Sequence, residues 1–235
     1  MKNEGKVLAS IILAIGMITA GALLRSAIIG FKAIDRTITV KGLAEREVKA
    51  NKVIWPLVYK ELGNDPAEMY DLLERKNQKV VAFLKSAGLS DSEISINPPT
   101  IIDRQADNYG NDIMRYRYRA TSVITVTSTD VDKVRKLMNR QTELMKQGIA
   151  ITGEEYGSNA TRYEFTSLNE IKPEMVEEAT KNARITAEKF AADSRSNLGS
   201  IITATQGQFS IYDRDDNTPY IKNVRVVNTI VYSLK

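Results

Sequence analysis

Hydrophobic positions divide the chain into one unbroken apolar run and a longer patterned region. Val7 to Leu24 holds no charged residue. As a helix, about 18 residues rise roughly 27 Å, close to the roughly 30 Å hydrocarbon core of a bilayer. Beyond it the pattern becomes periodic. Thr37 to Lys41 alternates as a strand, Gly42-Leu43-Ala44 breaks it, and Glu45 to Glu61 resumes a long extended stretch with a slip of phase near Asn51. Asp65, Pro66 and Glu68 form a helix start. Met69, Leu72, Leu73, Val80, Phe83 and Leu84 then recur at helical spacing up to Gly88. A second helix is predicted over 130–146, capped by Thr129, and a third from Pro173 to about Asn197. Between and after them lie three predicted hairpins. They pair Ser92–Asp103 with Ile113–Ser128, Ile149–Thr152 with Thr161–Ser167, and Ser200–Tyr212 with Lys222–Leu234.

The order ββ-α-ββ-α-ββ-α-ββ points to an α+β fold, with three helices packed on largely antiparallel sheets built from hairpins. One N-terminal transmembrane helix precedes it. The divisions expected are a short tail at 1–6, a signal-anchor helix at 7–31, a linker at 32–36 and a folded domain at 37–235. Two readings of the apolar run compete. Lys2 and Lys6 before it, and Ala20-Gly21-Ala22 within it, fit a cleaved secretory signal. The length of the run favours an uncleaved anchor, because cleavage would leave Leu23, Leu24, Ile28, Ile29 and Phe31 on a free terminus. Flanking charge is indecisive for orientation: Lys2 and Lys6 lie on one side, and Arg25, Lys32 and Arg36 on the other.

Composition narrows the chemistry. The chain has no cysteine, which removes disulfides, thiol nucleophiles and thiolate metal sites. It has no histidine, which removes the usual proton shuttle, the Ser-His-Asp arrangement and the usual zinc sites. No Gly-rich phosphate loop or nucleophile elbow occurs. The expectation is therefore a non-catalytic protein without a cofactor. The net charge of +4 is too mild to call for nucleic acid. Asp213-Arg214-Asp215-Asp216-Asn217 superficially fits a calcium loop, but Thr218 stands where that loop needs glycine. A hairpin turn explains the run better.

Two constellations remain. Arg115, Arg117 and Arg119 alternate with Tyr116 and Tyr118, so on a strand the arginines would share one face. They are a candidate contact for an anion or for lipid phosphates, against the plainer reading of a solvated face with cross-strand carboxylates. Ala179, Ala183, Ala187 and Ala191 fall every fourth residue on one helix face. That stripe suits close packing on the domain's own sheet, or a subunit contact. Trp55 and Pro56, on a stretch that Pro56 places at an edge or irregularity, are candidate oligomer contacts as well.

Val40, Gly42, Ala44, Val48, Ala50 and Val53, in VKGLAEREVKANKV, resemble the opening strands of the SIMPL-domain family. Asn51 stands where that family often has Asp. The alanine-spaced third helix followed by Leu198-Gly199 resembles its second signature. The likeness runs from about Thr37 onward. It implies an extracytoplasmic α+β domain of the bacterial envelope. Its relatives include periplasmic immunogenic proteins that form ring-like oligomers, proteins linked to oxidative-stress resistance and a eukaryotic signalling adaptor. It brings no catalytic residues. The expectation is a self-associating scaffold or stress-related protein held in the inner membrane through residues 7–31, its domain facing the periplasm or exterior. The alternatives are a secreted periplasmic protein after signal cleavage, and an anion- or lipid-binding module using a sheet face or oligomer lumen.

Overall fold

β-Branched and aromatic residues recur between Lys52 and Gly63 and between Tyr118 and Ser128, and these two segments pair along their length. The computed structural model describes residues 12–26, 36–106, 115–152 and 159–235. In chain order its elements are helix α1 (12–26), β1 (Thr37–Lys49), β2 (Lys52–Gly63), α2 (Pro66–Ser86), β3 (Ile94–Ile96), β4 (Thr100–Asp103), β5 (Tyr118–Ser128), α3 (Val131–Met138), α4 (Thr142–Lys146), β6 (Arg162–Glu164), α5 (Leu168–Asp193), β7 (Leu198–Thr205), β8 (Ser210–Asp213) and β9 (Ile221–Leu234). The fold is α+β, and one sheet has the order β3-β5-β2-β6 with β4 also on β5. The other has the order β1-β9-β7 with β8 also on β9. The chain divides into two compact units. One holds 1–46, 169–210 and 224–235, and the other 47–168 and 211–223.

The second unit is built on large side chains. β2 runs antiparallel to β5 from Val53↔Ser128 to Gly63↔Tyr118. One face of the pair buries Trp55, Leu57, Tyr59 and Ile124 against Leu73, Phe83 and Leu84 of α2 and Val134 and Leu137 of α3. Asp65 caps α2, accepting from the amides of Ala67 at 2.7 Å and Glu68 at 3.3 Å, with Pro66 at the first helical position. Gly88, at φ +84°, closes it.

The first unit sets small side chains on its helix against larger ones on its strands. Its core is Ile38 and Val40 of β1, Ala183 and Ala187 of α5, and Ile230 and Tyr232 of β9. The end of β9 meets the start of β1, where the Leu234 amide donates to the Arg36 carbonyl at 2.8 Å.

Several expectations need correction. Among the described residues four helices, not three, follow β1. The span expected as one helix over 130–146 is two, because Asn139 to Glu143 supplies no apolar residue to hold a turn. Short bonds from Arg140 to Leu137 and from Gln141 to Met138 tighten the chain there. The cap of α3 is Asp130, not Thr129. α5 begins at Leu168, with Pro173 inside it. β1 runs through Gly42 unbroken, and the interruption falls instead at Ala50–Asn51. There the Asn51 side chain accepts from the Thr166 amide and donates to Ser167 Oγ. Ile151 and β6 do not form a hairpin with each other. Ile151 bridges Tyr59, and β6 pairs with Lys52 to Ile54 of the same strand β2. The expected membrane span 7–31 reaches beyond the described residues at both ends. Among the described residues no helix is long and apolar enough to cross a membrane.

Candidate functional site

The alanine stripe lies inside the first unit. Ala179, Ala183 and Ala187 are fully buried and Ala191 nearly so. Their small size lets α5 sit directly on β1. A Cβ added to Gly42 would stand 1.9 Å from the Ala179 carbonyl oxygen and 2.4 Å from the Ala183 amide nitrogen. Polar contacts hold the same approach: Asn182 donates to the Leu43 carbonyl at 2.8 Å, and Arg46 meets Glu174 at 2.8 Å. A contact between copies through α5 would therefore have to use its other face, where Ile185 and Phe190 are half exposed.

Trp55 is buried in the second unit's core and Pro56 pairs with Thr125. β2 has partners on both sides. β5 lies along its whole length, while β6 takes residues 52–54 and Ile151 bridges Tyr59. The Val58 carbonyl accepts from the Thr152 amide at 2.7 Å, so by alternation the nitrogen of Pro56 faces that same side. Its missing donor falls in the gap between β6 and Ile151, which is how a proline is tolerated in an inner strand.

The three arginines do not share a strand face. Arg115 and Arg117 precede β5, and only Arg119 lies within it. Arg117 is held by Asp103 of β4 through Nε at 3.0 Å and Nη2 at 2.7 Å. Hydrogen bonding from Arg117 lowers the Asp103 pKa, and the reciprocal bond raises that of Arg117. Arg115 is exposed and lies 5.4 Å from the Tyr116 ring centroid. Arg119 sits between Leu62 and Ile102, and its Nε is buried without a hydrogen-bond partner. The trio is thus one exposed cation, one neutralised pair and one half-buried group.

Two features have no counterpart in the sequence reading. β7 is an edge of the four-stranded sheet. It carries no charge from Leu198 to Thr205, and Ile201 and Ile202, at a shift of its register against β9, are both about half exposed. The signal was the adjacent isoleucine pair itself on a stretch without charge, since a strand with one face covered leaves at least one of two neighbours outside. In the second unit, a groove of about 940 Å³ lies between α2 and the link Asn97-Pro98-Pro99 that joins β3 to β4. Asn77 is set in it. Its signal was a polar residue on the Leu73, Val80, Leu84 face of an otherwise apolar stripe.

At the turn before β9, Asp215 accepts from the amides of Asn217 and Thr218, from the Thr218 hydroxyl and from Arg214. These bonds, the Thr218 hydroxyl first, hold its pKa down to about 2. The carboxylate closes its own hairpin. Among the described residues no group of acidic side chains is placed to hold a metal ion.

No curated protein matches the chain in sequence. A family model does: SIMPL, described as a protein of unknown function (DUF541), matches residues 38–229. The match takes in Val40, Gly42 and Ala44 on β1 together with the alanines of α5 that pack on them, and on this ground the chain belongs to the SIMPL family.

Proposed function

We propose that the chain is a non-catalytic, membrane-anchored SIMPL protein facing the outside of the inner membrane, working by self-association as an envelope scaffold or stress-related protein. The observation that carries this reading is the edge of β7, which pairs only with β9 among the described residues. Unpaired edge N–H and C=O groups invite another chain, and natural edges are normally blunted with charge. β1, the opposite edge of the same sheet, carries Lys41, Glu45, Glu47 and Lys49. β7 carries none, and adds two isoleucines. An edge of this kind favours a contact with a second copy, and a head-to-tail contact closes into a ring when its rotation permits. The charge-free run from Val7 to Leu24 fits the same reading, because an anchor there would confine the copies to one plane and raise their effective concentration.

The test is the mass of the full chain in mild detergent, by light scattering at tens of micromolar. A discrete species larger than a monomer is expected, reduced to a monomer by Ile202→Lys. A monomer at that concentration would overturn the scaffold reading. Accessibility to protease added to spheroplasts tests the orientation, and digestion of the domain is expected.

A further inference from the structure

The groove in the second unit has apolar walls and a polar floor with a fixed direction. Tyr70, Val81, Ile96, Pro98 and Ile101 line it, and Tyr70 and Ile96 are more than half exposed. On the floor, the Asn77 side-chain carbonyl accepts from Tyr59 Oη at 2.7 Å and from Ser122 Oγ at 2.8 Å. Tyr59 Oη also lies 3.1 Å from the Leu73 carbonyl. The single phenol proton goes to the nearer of the two acceptors, the Asn77 oxygen. Tyr59 and Ser122 are fully buried and cannot swing away. With its oxygen engaged twice, Asn77 turns its NH₂ donor to the groove.

The charges beside it decide what could accept that donor. Glu74 and Lys85 are the charged residues of the lining. Lys85 is engaged by Asp91 at 2.6 Å. Glu74 lies three residues from Asn77 on the same helix face. The site therefore offers a donor at its floor, the Glu74 acceptor beside it and the neutral Gln78 and Asn97 in its lining, which among the described residues holds no free cation. A carboxylate would meet the Glu74 charge. An uncharged carboxamide fits both groups: its C=O takes the Asn77 NH₂, its N–H reaches Glu74, and its chain covers the exposed Tyr70 and Ile96. We infer that the α2 groove is a binding site for a small apolar carboxamide.

The test uses the full chain in nanodiscs, with octanamide and octanoate as probes read by saturation-transfer NMR. Protein-free nanodiscs set the background for partition into lipid. Octanamide should give a saturable signal that Ala82→Trp removes, since Ala82 is an exposed lining residue where a large side chain fills the groove without entering the core. Octanoate should bind at least about tenfold more weakly, and Glu74→Gln should narrow that gap. Equal binding of the two probes, or an octanamide signal unchanged by Ala82→Trp, would overturn the assignment. A circular-dichroism melt of each variant shows that the fold is kept.

Discussion

The two units solve the same packing problem with opposite materials. The second fills the space between sheet and helices with Trp55, Leu57, Leu73, Phe83 and Ile124. The first closes that space instead, bringing α5 against β1 through Gly42 and a line of alanines. Large side chains gain burial by area, whereas small ones gain it by letting backbones approach. The first solution leaves some large apolar residues of α5 and β7 outside: Ile185, Phe190, Ile201 and Ile202 are all about half exposed. The second unit leaves Tyr70 and Ile96 outside as well, beside its groove, whereas the first leaves an apolar helix face and an uncharged edge.

The sharpest way to break this comparison is Gly42→Val. Its side chain would collide with backbone atoms of Ala179 and Ala183, which cannot rotate aside. Overpacking costs about 1–3 kcal/mol in ordinary cores and more where nothing yields. Hydrogen exchange should show protection lost in β1, α5 and β9 and retained in β2 and β5. Loss spread evenly over both units would show that they fold as one.

Leu73→Ala is the counterpart in the second unit. Leu73 is almost fully buried, and large-to-small changes of this kind cost about 2–5 kcal/mol. A denaturant titration should show a lower midpoint, and the same exchange experiment should show the loss in β2, β5 and α2.

Ile202→Lys bears on the exposed edge. Surface changes of this kind usually move stability by no more than about 0.5 kcal/mol, so the melting temperature should hold while light scattering reports a smaller particle. A large fall in melting temperature with no change in mass would show that Ile202 serves the fold rather than a contact between copies.

The smallest effect concerns Asp215. Its folded pKa of about 2 lies below the usual carboxylate value near 3.9. The stabilisation it gives is complete above that usual value and disappears as pH falls through about 2. Following its carboxyl carbon by NMR should place the inflection near 2. An inflection near 4 would mean that the bonds closing the 213–219 turn are not formed in solution.

Local signals carried the helices further than the strands. Asp65, Pro66 and Gly88 mark α2 by capping chemistry that acts within a few residues, and the structure uses all three. Gly42 shows where such reasoning stops. A glycine in a strand can mark a break or the close approach of another backbone, and only the position of α5, more than a hundred residues later, decides for the second. The pairing of Ile151 and β6 with β2 was hidden for the same reason, since each is too short to declare its partner. The i,i+4 alanines were readable as a packed stripe because helical spacing fixes a face. The arginines were not, because assigning them one face assumed a strand that begins only at Tyr118. Asn77 passed unnoticed inside an apolar period, since its role depends on hydroxyls from two other strands.

The place of β9 has a consequence for how the protein is made. It is the middle strand of its sheet, lying between β1 and β7, yet both precede it in the chain. The stretch 47–168, by contrast, holds β2 to β6 and α2 to α4 without interruption, so its ladder can form as soon as it emerges from the ribosome or a translocation channel. β1 and α5 must wait, with their mutual packing unsupported, until the strand that joins the sheet has followed them out. Such late, long-range closure is slow by nature, and it leaves the uncharged β7 edge open on a nascent chain before its own sheet is finished. A chaperone that binds extended apolar segments would find its substrate there.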